Sequence, residues 1–431
     1  MKADKAQFQD RSLSPWRKVL LLLAGYAFAT VFLLSVTLVY VAYRESQKLD
    51  KAHLEHAVRL NPLEAEYRAK LGQWSLFAEN NAGEAARSFE TATRLNPYEA
   101  RYWLALATAR LQLADTTGEF EAVRNAAAAA PTTPEIAWEA GIHLMVGGHE
   151  REALHTFRTL LESAPGECDR VVALCWRALH DRQLILNEVL PREQSAYLTF
   201  LRLLANTGAY DDADEVWKAT VDLGQPIPKQ SALMYIDDLL RREKVQSAAS
   251  AWRSLLSLDP VLRRYRQDEN LVMNSRFEEP LLDDGFDWRF PAPGGAVEFS
   301  LDSNEARAGS ASLLLTFRGD VVGDTGLYQA IVVQPETEYS FRATVKSSEL
   351  VSATPLRFEF RDAYSGELAA TTGEFVGTTG DWITVTGRFR TAPKSRLLKL
   401  GVGHAAASHV AGKMWIDSVE LKPLDANAAS R

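Results

Sequence analysis

Three hydrophobic patterns follow one another along the chain. From Val19 to Tyr43 the run "VLLLLAGYAFATVFLLSVTLVYVAY" carries no charged residue. Twenty-five such residues in a helix are long enough to cross a hydrocarbon core. Between about residues 48 and 262 apolar positions recur at helical spacing, in Ala/Leu/Glu-rich segments cut by proline. Pro62, Pro97, Pro131 and Pro165 stand 35, 34 and 34 residues apart, and Pro191, Pro226 and Pro260 stand 35 and 34 apart. That period predicts stacked helix–turn–helix units, none of which can bury its apolar face alone. From about Tyr265 the text changes to short alternating runs: "ASLLLTFRG", "LYQAIVV", "YSFRATVKS", "LRFEFRD", "WITVTGRFRT", "LLKLGVGHA" and "MWIDSVELK". Rich in Val, Thr, Phe and Leu and separated by Gly, Pro, Asp and Ser, they predict an all-β sandwich.

The helical units place small and large residues where two crossing helices need them. Leu71-Gly72 precedes Ala85, Phe89, Ala92 and Pro97; Trp103 and Leu106 precede Ala126; Trp138 precedes Ala153, Phe157 and Pro165. Small residues allow the helices to approach, a ring fills the space beside them, and proline stops the second helix. This spacing resembles the tetratricopeptide family over residues 51–165 and degenerates over 166–262, where Gly208, Ala213 and Trp217 still echo it. The stretch 166–190 is about nine residues short of a unit, and "KAHLEHAVRLNP" reads as a lone second helix opening the array. The resemblance implies a concave surface that binds protein partners.

In the β region, "NLVMNSRFEE", "ARAGSASLLLTF", "LYQAIVVQPETEYSFRATVK", "TTGDWITVTGRFRTAP" and "GKMWIDSVELKPL" occur in one order across Asn270–Leu424. They resemble carbohydrate-binding modules of families 4 and 9, jelly rolls related to galactose-binding domains. Alternation points Phe277, Leu313, Leu315, Tyr339, Phe341, Val345, Phe389 and Ile416 to the core, and Trp382 reads as packing at a strand start. Sugar recognition needs exposed rings flanked by polar side chains, which makes Trp288, Tyr328 and Tyr364 the glycan-binding candidates. Glu278 and Asp417 match acidic positions where the resemblance implies a structural calcium; the alternative is two solvated or locally hydrogen-bonded carboxylates.

Net charge is −8 with both signs mixed, which argues against nucleic acid as a partner. Lys2, Lys5, Arg11, Arg17 and Lys18 precede the apolar run, which is too long for a cleaved leader and ends in "VYVAYRES". The charge bias puts the N-terminus inside. The expected organisation is a cytoplasmic tail (1–18), a transmembrane helix (19–43), a helical repeat domain (48–262) and a β-sandwich (268–425), with the bulk in the bacterial periplasm. Cys168 and Cys175, seven apart on one predicted helix, are about 10 Å apart, beyond disulfide reach, and read as small buried residues.

Catalytic chemistry does not emerge. "HEREALH" has Ala153 where a zincin needs its second histidine, "GVGHAA" lacks the third glycine of a dinucleotide loop, and "AGSAS" is not a nucleophile elbow. The expected function is therefore a non-enzymatic, membrane-anchored scaffold for surface-polysaccharide assembly or export, with protein in the repeats and glycan on the sandwich. The alternatives are a glycan-active enzyme or its accessory subunit, a cytoplasm-facing repeat adaptor, and a sandwich that only caps the solenoid.

Overall fold

The computed structural model describes residues 15–48, 50–266, 269–291, 294–375 and 377–424. Most of the expected cytoplasmic tail, including Lys2, Lys5 and Arg11, lies outside the described residues. The chain divides into two compact units, Met1–Pro191 and Arg192–Arg431.

The first unit opens with α1 (Pro15–Ser46), whose apolar stretch is long enough to cross a membrane and is unburied by protein. Its last turns behave differently: Ala42 and Ser46 are fully buried. Ala42 packs with Leu54, Ala57 and Val58 of α2 (Lys51–Leu60) and with Tyr67 and Leu71 of α3 (Ala65–Phe77). The helix that opens the array is thus not alone, because the end of α1 supplies its partner. Asp50 caps α2 by accepting from the His53 N–H at 3.0 Å.

Next come α4 (Ala82–Leu95), α5 (Ala100–Gln112), α6 (Thr116–Ala129), α7 (Pro134–Val146) and α8 (Glu150–Ser163). They pair as hairpins α3–α4, α5–α6 and α7–α8, each leaning on the next. The close crossings carry the predicted Gly72, Phe89 and Phe157, with Gly141, not singled out by its spacing, opposite Phe157. A Cβ on Gly72 would lie 2.8 Å from the Phe89 ring, and one on Gly141 would lie 2.4 Å from the Phe157 ring. In the middle hairpin, which lacks the ring, Ala107 and Val123 are both buried at the matching positions. A methyl opposite a small branched chain fills what hydrogen opposite phenyl fills elsewhere.

The short stretch after Pro165 has a specific cause. Helix α9 (Cys168–Leu179) ends on His180 in the left-handed region, φ 50°. Its partner is only α10 (Arg182–Leu184) running into a π-helical turn at Ile185–Val189, eight residues where α4 and α8 have 14. The widened turn keeps Ile185, Val189 and Leu190 buried. Cys168 and Cys175 are both buried on α9, and burial pushes the Cys175 thiol up to about 12.

The second unit begins with two more hairpins: α11 (Gln194–Thr207) with α12 (Tyr210–Asp222), and α13 (Lys229–Arg241) with α14 (Val245–Leu258). Gly208, φ 80°, ends α11, and Ala213 and Trp217 are buried on α12. The sandwich follows, with β1 (Trp288–Arg289), β2 (Val297–Asp302), β3 (Ser312–Val332), β4 (Glu338–Ser352), β5 (Leu356–Asp362), β6 (Leu368–Thr371), β7 (Ile383–Arg390) and β8 (Leu397–Pro423). The strand pairing is antiparallel throughout.

Four of the seven predicted runs merge into two long strands. The first half of β3 pairs with β2 and with the second half of β8, which continues to β4 and then β7. The second half of β3 pairs with β1 and with the first half of β8, which continues to β5 and then β6. Both long strands therefore serve both layers. Gly319, Gly323 and Gly326 mark register shifts in β3 rather than strand ends. Between the layers Phe277, Leu313, Leu315, Tyr339, Phe341, Val345 and Ile416 are buried as their alternation predicts, with Phe389 packed at the edge.

The residues of "NLVMNSRFEE" tie the entry of the chain to this core. Asn270 donates to the Val419 carbonyl and accepts from Leu421 N–H, while Asn274 clasps Glu279 at both its N–H and its carbonyl. Buried Gln329 of β3 holds the N–H and C=O of Met273 at 2.9 and 3.0 Å.

Candidate functional site

The outward face of the β1–β3–β8–β5 layer carries a cleft of about 260 Å³. Strand alternation determines its lining, because Leu327, Leu398, Leu400, Val402, Phe358 and Phe360 point inward. Their neighbours Tyr328, Lys399, Gly401, Glu359 and Arg361 point the other way, and Asp324 joins them at one end. Tyr328 and Glu359 both stand opposite Gly401 in register, and Lys399 stands opposite Ala330 and Arg361.

Glycine forms the floor for a steric reason. A Cβ on Gly401 would lie 2.6 Å from the Leu327 carbonyl oxygen, and one on Gly403 would lie 3.3 Å from Glu359 Oε2. Over this floor Glu359 is held by two guanidinium forks. Arg357 donates to Oε1 at 3.0 and 2.9 Å, and Arg361 donates to Oε2 at 3.0 and 2.6 Å. Such paired charge-assisted bonds fix side chains that would otherwise move. Tyr328 forms the opposite wall, with the Lys399 ammonium 4.8 Å from its ring centre. A half-exposed ring beside fixed donors and acceptors is the equipment needed to stack on one face of a sugar and hydrogen-bond its hydroxyls.

Of the three expected rings, only Tyr328 lies in this cleft. Trp288 is fully buried, 5.4 Å from the Phe277 ring, and offers no face to a ligand. It belongs to the core because its strand, β1, lies at the sheet edge with the N-terminal segment folded over it. Tyr364 follows β5, and its hydroxyl donates to the Leu240 carbonyl at the end of α13, 2.9 Å away. Arg357, Glu359, Arg361 and Lys399 are not singled out by sequence; the only signals are charge at alternate positions in "LRFEFRD" and one lysine in "LLKLGVGHA", which read equally as a solvated face.

Glu278 and Asp417 act on one loop. Glu278 accepts from the Ser310 N–H at 2.9 Å and its hydroxyl at 2.5 Å, which holds its carboxyl below the usual range. Asp417 is fully buried and accepts from Arg307 N at 2.7 Å, Ala308 N at 2.9 Å and Ser418 N at 2.5 Å. These are the contacts of locally hydrogen-bonded carboxylates, and the two side chains serve different residues of the loop. The pair clamps the 307–310 loop.

At one end of the cleft the same face runs beneath the helices of this unit. Arg289 of β1, beside Tyr328 in register, forms a bidentate pair with Asp237 of α13 and donates to the Gly285 carbonyl at 2.8 Å. Trp252 of α14 packs on Phe286 at 5.9 Å. A second cavity of about 420 Å³ lies between α14 and the sheet, lined by Trp252, Arg253, Ala330 and Val332.

The approach to this junction, Asp283–Trp288, stores unfavourable charge. Burial pushes the Asp287 carboxyl up to about 6, and its Oδ1 has no hydrogen-bond partner. Asp284 is also pushed up to about 6, by burial and then by neighbouring Asp237. Folded carboxyls that titrate above the unfolded value of 3.8 bind protons the unfolded chain has already released. Their effect on stability is therefore favourable at low pH and is lost as pH rises from about 4 to 6. Asp287→Asn should flatten the pH dependence of thermal unfolding in that window relative to wild type. Buried Asp287 accounts for about 3 kcal/mol of it. Parallel melting curves for the two proteins between pH 4 and 7 would contradict this.

Comparison with known proteins agrees with this part of the fold. Residues 269–402 match the family described as Carbohydrate binding domain. No curated protein matches the chain. Among solved structures, the CBM22-1 xylan-binding domain of Paenibacillus barcinonensis Xyn10C is 20% identical, covering 35% of this chain and 93% of its own, with a TM-score of 0.26. A CBM4 structure is 14% identical, covering 36% and 99%, with a TM-score of 0.28. MamA is 13% identical, covering 44% and 91%, with a TM-score of 0.27. The chain thus joins an apolar N-terminal helix and a helical array to an antiparallel β-sandwich that resembles carbohydrate-binding modules of families 4 and 9.

Proposed function

We propose that this protein is a non-enzymatic scaffold of the bacterial cell envelope, holding a glycan on its sandwich and protein partners on its helical array. Helix α1 anchors it in the inner membrane, with the N-terminus inside and the bulk in the periplasm. The role that fits is assembly or export of a surface polysaccharide. The observation that carries the reading is the cleft of Tyr328, Glu359, Arg361 and Lys399 on a domain matching a carbohydrate-binding family. For protein partners, the supporting feature is a groove of about 530 Å³ along α11 and α13, lined by Leu198, Asn206, Met234 and Asp238. Exposed Met234 suits a surface that accepts peptide side chains.

Full-length protein in detergent micelles, applied to an array of bacterial and plant glycans, tests the central claim. Binding to a defined glycan class is the expected result, with Tyr328→Ala lowering affinity about tenfold by removing the stacking face. No binding to any glycan, or binding untouched by Tyr328→Ala, would overturn it, and turnover of a bound sugar would make the protein an enzyme. A C-terminal reporter active only after export tests the orientation. A second reading, in which the sandwich only caps the helices, is favoured by the contacts of Arg289 with Asp237 and of Tyr364 with Leu240. It predicts that the array stays blank.

A further inference from the structure

The cleft is not an open trough, and its two ends differ in charge. Following the sheet from Tyr328 toward Ala330 and Val332, the outward face passes under α14, with α13 beside it. Arg289 fastens one side of α13 through Asp237, and the Tyr364 hydroxyl fastens the end of that helix from the β5 side. Lys399 and Arg361 stand side by side in register just before this cover begins. At the opposite end, by Asp324 and Gly326, none of the lining residues belongs to a helix among the described residues, and Pro291 lies against Gly326.

The cationic groups at the covered end are only partly neutralised. Arg357, toward the Gly403 end, pairs with both Glu359 and Glu374, whereas Arg361, at the covered end, has only a share of the Glu359 carboxylate. The Arg361 side chain keeps 42% of its surface exposed. Among the described residues no carboxylate lies within 4.0 Å of the Lys399 ammonium, whose near neighbour is the Tyr328 ring. A bound anion would meet two cations there, beside a ring that stacks on its sugar.

We infer that the cleft accepts the end of a saccharide chain rather than its interior, and that the terminal residue is an acidic sugar whose carboxylate meets Lys399 and Arg361. This rests on the glycan-binding reading of the same cleft. Helices α13 and α14, fastened through Asp237 and Leu240, stand over the face just beyond Lys399 and Arg361 and obstruct a chain that would continue along it, and the unpaired Lys399 selects the charge. A neutral terminus would leave the ammonium without a counterion but could still stack on Tyr328.

Titration calorimetry of the full-length protein in detergent tests this with matched oligosaccharides. One bears a terminal glucuronate, at either end of the chain in separate samples. One has that carboxyl reduced to an alcohol, and one carries the glucuronate only at interior positions between neutral ends. The acid-terminated chain should bind at least tenfold tighter than both others. Lys399→Gln should abolish that preference, Lys399→Arg should retain it, and both variants should melt like wild type. Equal affinity for the three chains, or tighter binding of the interior glucuronate, would overturn the inference while leaving glycan binding intact. Binding of none of the three would fail the inference, and a blank array alongside it would fail the underlying reading as well.

Discussion

Arg289→Ala should lower the melting temperature of the second unit by about 10 °C, the largest loss expected from any single charge in the molecule. The guanidinium is the only cation among the described residues paired with Asp237, and it also lies 3.8 Å from Asp284. Its side chain is 18% exposed and that of Asp237 is 22% exposed, so water screens the pair weakly. Removing one partner of such a pair costs about 3–5 kcal/mol, mostly because the remaining charge stays desolvated. Here two carboxylates would remain, facing each other. Spread over a unit of this size, that loss shifts melting by about 2–4 °C per kcal/mol. The loss should shrink at pH 5, where Asp284, already titrating at about 6, takes up a proton and relieves the repulsion. A shift under about 2 °C at neutral pH would mean that the helices and sandwich do not depend on this contact.

Phe157→Ala should be comparably severe in the first unit. The ring is fully buried, lies over Gly141 and sits 5.8 Å from Trp138. Deleting such a ring costs about 3–5 kcal/mol through lost burial and the cavity left behind. The middle hairpin suggests a repair. Gly141→Ala alone should clash with the ring and Phe157→Val alone should leave a void, whereas the double substitution recreates the Ala107/Val123 pairing. Chemical denaturation of the four proteins should show the double variant losing less than the two singles combined. Strict additivity would mean the two positions do not share one packing problem.

These contrasts show what was legible in the chain. The proline period and residues such as Gly72, Phe89 and Phe157 marked the hairpins because each reflects a local steric need, close helix crossing, that no distant residue alters. The truncated partner of α9 could be sensed only as missing length, since a π-helical turn has no residue signature of its own. In the sandwich, alternation identified the core residues but not the merging of runs, because a glycine at a bulge and a glycine at a turn look alike in sequence. Trp288 was misread for a related reason: aromatic exposure depends on what folds over a strand, and here that cover, Phe277 and the segment around it, comes from elsewhere in the chain. The cleft was least legible. Tyr328, Lys399, Glu359 and Arg361 come from three strands, and only their register brings them to one spot.

The continuity of α1 has a mechanical meaning. Its 32 residues extend about 48 Å as one helix, whereas a hydrocarbon core is about 30 Å thick. The surplus turns are the ones whose Ala42 and Ser46 pack into the first repeat. A helix gripped along its side transmits bending and twist, whereas a flexible tether transmits only tension. Whatever embeds the apolar stretch therefore also steers α2 and the hairpins stacked on it, as a handle steers a blade. Inserting a flexible glycine–serine stretch after Tyr43 would turn the handle into a string, leaving the array attached but free to swing.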